Sequence, residues 1–365
     1  MDKKLVIIII SLSVLIAAVI LSLVLQISKP NLSPQRELET CKSLYYNGES
    51  GINIVVFSDA KTAKIYADNL LSTSPLSGRK NAFNFYYIDS YKPECELYQG
   101  VALLCYSREL IKKASSCPND YIVVVQEYDA KIRSSAYMNV ISLNSRLPKT
   151  VFAHEFGHVF ANLADEYSPS AIVRGSTNCA SDCSKFGSNC FQGCSKDNYY
   201  RSINLGLMRT LNSNTFGEFD EGLIADRISK QANIITAKAI SEEISCENDR
   251  YYLIEGNYSN GSIKILSKNI EQGCLGSNGV GPFNYTIILE DNSRKFQGEF
   301  NAELIFTDAQ AEQEESINGE ALANGGIFLL KIPVIDNAKS IELSTESSTT
   351  EVSLVGKGAR PCEII

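Results

Sequence analysis

The stretch Val151-Phe-Ala-His-Glu-Phe-Gly-His-Val-Phe-Ala-Asn-Leu-Ala-Asp-Glu-Tyr167 constrains this chain more than any other. It holds the only two histidines in 365 residues, His154 and His158, four apart with Glu155 between them. On a helix, residues i and i+4 lie one above the other, so both imidazoles can reach a single ion. Zinc suits such a pair: it takes neutral imidazole nitrogens and, in catalytic sites, leaves one position to water. The flanking Val151, Phe152, Val159, Phe160 and Leu163 are core-type residues, so the helix is expected to be buried. Two imidazoles and a carboxylate inside a core need a partner, because burying them unpaired is costly. A metal ion supplies it. The pattern predicts a helix from about Thr150 to Ala161, with Pro148 as its start signal.

A third ligand is then required. Asp165 follows His158 by seven residues and shares its helical face, but on a straight helix it would lie about 10 Å further along, too far to share one ion. The helix must therefore end near Ala161-Asn162, and Asn tolerates the left-handed conformation that such a turn needs. Beyond that turn, either Asp165 or Glu166 can close a His-His-carboxylate site. The alternative source is an acid on a later helix: Glu218, Asp220 or Glu221. His-Glu-x-x-His is the signature of zinc-dependent peptidases, in which the Glu takes a proton from water and returns it to the leaving amine. Glu155 holds that position.

The run HEFGHVFANLADEY resembles the zinc motif of the IgA-cleaving metallopeptidase family, metzincin-like enzymes that carry HEFGH, a Gly pair and then LADEY. The resemblance spans roughly residues 50–245 and departs at Ala161-Asn162, where the family has Gly. It implies one Zn²⁺ per chain on His154, His158 and Asp165 (or Glu166), with Glu155 as general base and peptide bonds of protein substrates as the target. Metzincins also carry a Met turn beneath the metal. Met208, in Leu205-Gly-Leu-Met-Arg209, is the candidate for it. Tyr167, Tyr199 and Tyr200 are within sequence reach of the site; aromatic packing is their default role, and stabilising an oxyanion is the functional one.

The N-terminus adds a location. Leu5–Ile27 is uncharged and apolar, long enough to span a bilayer, and follows Lys3 and Lys4. It reads as an uncleaved signal-anchor, with a removed signal as the alternative. Eleven cysteines agree with a location outside the cytoplasm, and the odd count leaves one unpaired within the chain. Cys179, Cys183, Cys190 and Cys194 read as two disulfides stapling a loop beside the cleft, in preference to a structural zinc site. Cys41 reads as disulfide-bonded, although a thiolate there could cover the metal. Sequons at Asn31, Asn257, Asn260 and Asn284 are glycosylation candidates. A net charge of −8 offers no basic stripe for phosphates, which argues against a nucleic-acid partner.

The resulting organisation is a cytoplasmic N-terminus (1–4), a transmembrane segment (5–27), a linker (28–40), a zinc peptidase domain (41–246) and a β-sandwich-like domain (247–365). The expected class is α+β: a metzincin-like mixed sheet with an active-site helix, followed by an all-β sandwich. Strands are expected at 52–57, 83–88, 121–125 and 137–143, the last offering a free edge for an extended peptide. A long helix is expected over 218–244. Runs at 251–254, 262–266, 285–289, 302–306, 327–332 and 340–343 suggest the sandwich. The rival functional reading is a cell-surface binding or adhesion protein with a structural zinc. Intact Glu155 argues against it, since a structural site needs no base.

Overall fold

The structure is a computed structural model that describes residues 38–235, 246, 249–310, 317–323 and 326–354. Its N-terminal half is built on four parallel strands. Ile52–Phe57 (β2) lies between Phe83–Ile88 (β3) and Tyr121–Gln126 (β6), and Val140–Asn144 (β8) pairs parallel with β6. Parallel strands are covered on both faces, which is why INIVVF and YIVVV are unbroken apolar runs. Lys42–Tyr45 (β1) closes the sheet on the β3 side. Short strands Glu96–Tyr98 (β4) and Ala102–Leu104 (β5) form a separate hairpin.

The two faces are covered differently. Ile52, Ile54 and Val56 pack with helices Ala60–Ser72 (α1), Val151–Ala161 (α3) and Glu218–Ile235 (α4). Val55 and Phe57 face helix Arg108–Ala114 (α2) and Tyr251 and Leu253 from the C-terminal half. At the start of helix α1 the Asp59 carboxylate accepts from the Lys61 and Thr62 amides. Beyond α3, Phe191–Cys194 (β9) and Lys196–Arg201 (β10) make a small hairpin.

The C-terminal half supplies the expected sandwich. Arg250–Ser259 (β11), Ser262–Gln272 (β12) and Ile327–Pro333 (β17) make one sheet. Phe283–Leu289 (β13), Arg294–Phe300 (β14), Ala338–Ser344 (β18) and Thr349–Ser353 (β19) make the other, and the two share a core around Phe283, Phe300 and Phe328. Two strands leave this sandwich. Leu304–Gln310 (β15) and Ile317–Ala323 (β16) join the N-terminal sheet instead, giving the order β1-β3-β2-β6-β8-β7-β15-β16, where β7 is Ser134–Tyr137.

Three expectations are corrected. The class is not a balanced α+β: strand dominates, 37% against 18% helix, because the sandwich and the eight-stranded sheet together outweigh four helices. No helix among the described residues is long and apolar enough to cross a membrane, and the segment 5–27 lies outside them. The run 137–143 is not one strand but the turn of a hairpin, broken at Met138 (φ 56°), with β7 and β8 antiparallel. The edge expected to be free is paired with β15. The end of the helix expected over 218–244 lies beyond the described residues, as does Cys362.

The halves meet tightly. A Cβ on Gly276 would fall 1.5 Å from the Asn119 carbonyl oxygen, so only Gly fits that seam. Beside it, Lys331 is buried and donates to the Asn119 side chain. Burial lowers its amine from 10.5 to about 7, against the pull of Asp120. An unfolded lysine keeps its proton up to 10.5, so between about 7 and 10.5 the unfolded chain binds more protons and stability rises with pH. Thermal unfolding scanned across that window should show this rise in the wild type and a flatter profile in Lys331→Met.

Candidate metal centre

Helix α3 is buried along its length because it lies between the sheet and the segment around Met208. Gly157 makes that approach possible. A Cβ there would stand 2.8 Å from Met208 Sδ and 3.0 Å from Phe216 Cε1. The helix ends at Ala161, and Asn162 takes the left-handed conformation (φ 53°, ψ 37°). Its amide donates to the His158 carbonyl at 3.0 Å, and Leu163 N returns to the Gly157 carbonyl at 3.3 Å. The chain thus folds back under the helix.

That reversal orients the ligands. His158 Nδ1 lies 2.7 Å from the Leu163 carbonyl, and His154 Nδ1 lies 2.9 Å from the Leu207 carbonyl. Each carbonyl accepts an N–H, which fixes the proton on Nδ1 and leaves Nε2 free to bind a metal. The two Nε2 atoms are 3.2 Å apart. Asp165 Oδ1 lies 3.4 Å from His154 Nε2 and 3.2 Å from His158 Nε2. A fourth group enters from β15: Asp308 Oδ2 is 3.3 Å from His154 Nε2 and 3.7 Å from His158 Nε2.

These spacings fit a metal ion. Four ligands about 2.0–2.1 Å from a tetrahedral zinc stand about 3.3 Å from one another. All four residues are buried, and Asp165 Oδ1 and Asp308 Oδ2 have no hydrogen-bond partner. Buried polar atoms without partners are rare, and these converge on one point. Burial opposes charge on His158, yet Asp165 raises it to about 9. Asp308, which burial alone would raise, is held far below the carboxylate range by the two imidazoles. A divalent cation replaces the protons such a cluster would otherwise hold.

The stapled loop supports Asp165. Disulfides join Cys179 to Cys194 and Cys183 to Cys190. Ser170 Oγ donates to Asp165 Oδ2 at 2.8 Å, and Ser195 Oγ to the Asp165 carbonyl at 2.8 Å. The Asn178 amide exchanges two 2.8 Å hydrogen bonds with the Ala164 backbone. The loop expected to shape the cleft therefore holds a ligand in place. The remaining disulfides are Cys41–Cys117, Cys95–Cys105 and Cys246–Cys274, so Cys41 is committed away from the metal. Five disulfides place the folded chain in an oxidising or extracellular environment.

The other acids lie elsewhere. Glu166 is buried beside Asp220, and burial, then the Asp220 charge, raises its carboxyl well above the usual range. Asp220 is raised to about 8 by burial. Glu218 is exposed, and Glu221 accepts from Ser74 Oγ and Thr215 Oγ1. Glu155 is fully buried with both oxygens unpartnered, its carboxyl raised by burial and then by the Asp308 charge. Tyr167 reaches the site, donating to Asp308 Oδ1 at 2.5 Å. Tyr199 and Tyr200 are in the β10 hairpin.

Asp308 is the residue that sequence reasoning missed. One signal was present: in Leu304-Ile-Phe-Thr-Asp308, alternate positions 304, 306 and 308 share a strand face, and a charge follows two apolar residues on it. Compared with known proteins, the chain matches no family model and no curated sequence.

Metal analysis of the purified chain should give one ion per molecule. His154→Ala and Asp165→Ala should weaken binding by more than about tenfold, whereas Glu221→Ala should leave it unchanged.

Proposed function

We propose that this protein is a zinc-dependent endopeptidase acting on proteins outside the cytoplasm. The reading rests above all on Glu155: a carboxylate next to the first His ligand, buried, with neither oxygen engaged. A core carboxylate left unpartnered is expensive unless it serves a reaction. The resemblance of HEFGHVFANLADEY to the IgA-cleaving metallopeptidases supports the same reading and carries no claim about immunoglobulin as substrate.

His154, His158 and Asp165 would hold the zinc, which when bound supplies Lewis acidity toward a water and a peptide carbonyl. Glu155 takes the proton from the attacking water and delivers it to the departing nitrogen. The hydroxyl of Tyr167, which donates to Asp308 Oδ1, is the candidate donor for the oxyanion that develops. The backbone of β7, paired with β15 in this structure, would align an extended substrate only where β15 is displaced from it. Leu207 and Leu163 keep both imidazoles in the correct tautomer through the reaction. Met208 packs under α3 at Gly157 and fixes the height of the helix carrying the ligands, the role of a Met turn.

One observation favours the rival reading. Asp308 completes a four-residue ligand set, as structural zinc sites do, and a binding protein with a structural metal would have that set. Such a site has no use for Glu155. Cleavage of a peptide library by the wild-type chain and by Asp308→Ala, each with and without Glu155→Ala, separates the two. In the Asp308→Ala background, Glu155→Ala should retain its metal and lose cleavage by about 10²–10⁴-fold. Cleavage that survives Glu155→Ala would sink the mechanism.

A further inference from the structure

The C-terminal half does more than flank the site. Strand β15 lies antiparallel on β7, with Phe306 opposite Ala136, Thr307 opposite Ser135 and Asp308 opposite Ser134. This is the edge on which an extended substrate would lie. The Phe306 ring stacks on the His158 imidazole, centroids 3.8 Å apart and planes within 10°. Leu304 and Phe306 pack into the core around α3, while Ile305 between them packs into the sandwich core. Side chains of one strand thus fill the cleft while the same strand stays rooted in the other half.

The carboxylate of Asp308 occupies the positions of a reacting group. Its Oδ2 faces both imidazole Nε2 atoms, and its Oδ1 accepts from Tyr167. Two oxygens on one carbon, one at the metal ligands and one at a hydroxyl donor, is the arrangement of a hydrated peptide carbonyl. With Asp308 in place, four protein groups would surround a bound ion, the number that closed structural zinc sites use.

We infer that the segment Leu304–Asp308 is an internal occupant of the substrate cleft, with Asp308 as the ligand that closes the metal site, so that the chain in this conformation is latent. The inference rests on the peptidase reading for its biological sense, but its geometry is testable without catalysis. The attachment is also limited. β15 meets β7 through three residue pairs, against seven between β15 and β16, so the hairpin can leave β7 as a unit. Arg174, paired with Glu303 at 2.9 Å and with Glu346 at 3.1 Å, ties the base of this segment to the sandwich.

The experiment uses the full chain loaded with Co²⁺, whose visible spectrum reports ligand number, and titrates it with acetohydroxamate. The wild type should keep its spectrum. Asp308→Ala should still hold one metal and bind acetohydroxamate tighter than wild type by about tenfold or more. Asp308→Asn keeps the side-chain shape and removes the charge, and it stands in if the alanine variant does not fold. Equal binding by wild type and variant would overturn the inference, because the site would already be open. Loss of the metal from both variants would also overturn it, since Asp308 would then be a permanent structural ligand. A variant that gains hydroxamate binding yet cleaves no peptide would uphold the closed site and defeat the peptidase reading instead.

Discussion

Two imidazoles and two carboxylates brought into a buried core have no stable arrangement without a proton or a cation between them. Much of the surrounding structure serves that constraint. The left-handed turn at Asn162 brings Asp165 back under α3, and backbone carbonyls of Leu163 and Leu207 fix the tautomers. The disulfide-stapled loop holds Asp165 through Ser170 and Ser195. Each of these contacts aims a lone pair at one point, and unfavourable burial becomes favourable only when that point is occupied by positive charge.

The N-terminal half and the sandwich are interlocked at the same place. Most of the C-terminal strands form their own two-sheet core, but β15 and β16 cross into the other sheet and reach the ligands. The seam at Gly276, Asn119 and Lys331 positions the halves closely enough for this to happen. The C-terminal half thus contributes Asp308 to the cluster, and the candidate site depends on residues about 150 positions apart in the chain. Edge strands normally expose unpaired backbone groups, and β15 satisfies those of β7.

Glu155 and Asp308 pull the functional reading in opposite directions, and the conflict is physical. A base with free oxygens belongs to a site with water in it; a complete ligand set leaves no room for that water. The inferred departure of β15 from β7 would reconcile them. On the proposed reading, the site would be assembled and shielded at once, with Glu155 kept from water until the edge of β7 is vacated.

The sequence by itself determined what local spacing controls. Four-residue separation set both histidines on one helical face, the distance from His158 to Asp165 demanded the turn at Asn162, and apolar runs such as INIVVF marked the buried parallel strands. These depend on geometry within a few residues. It misread 137–143 as one strand, because the break at Met138 is a turn held by strand pairing and not by any Gly or Pro. The balance between α and β was also misjudged, since strands of the C-terminal half enlarge the N-terminal sheet. Only the tertiary structure decided that Asp165 and not Glu166 faces the histidines, that Glu221 is tied to Ser74 and Thr215, and that Asp308 joins the site. No local spacing encodes a contact between residues so far apart; it exists only once the two halves dock and β15 pairs with β7.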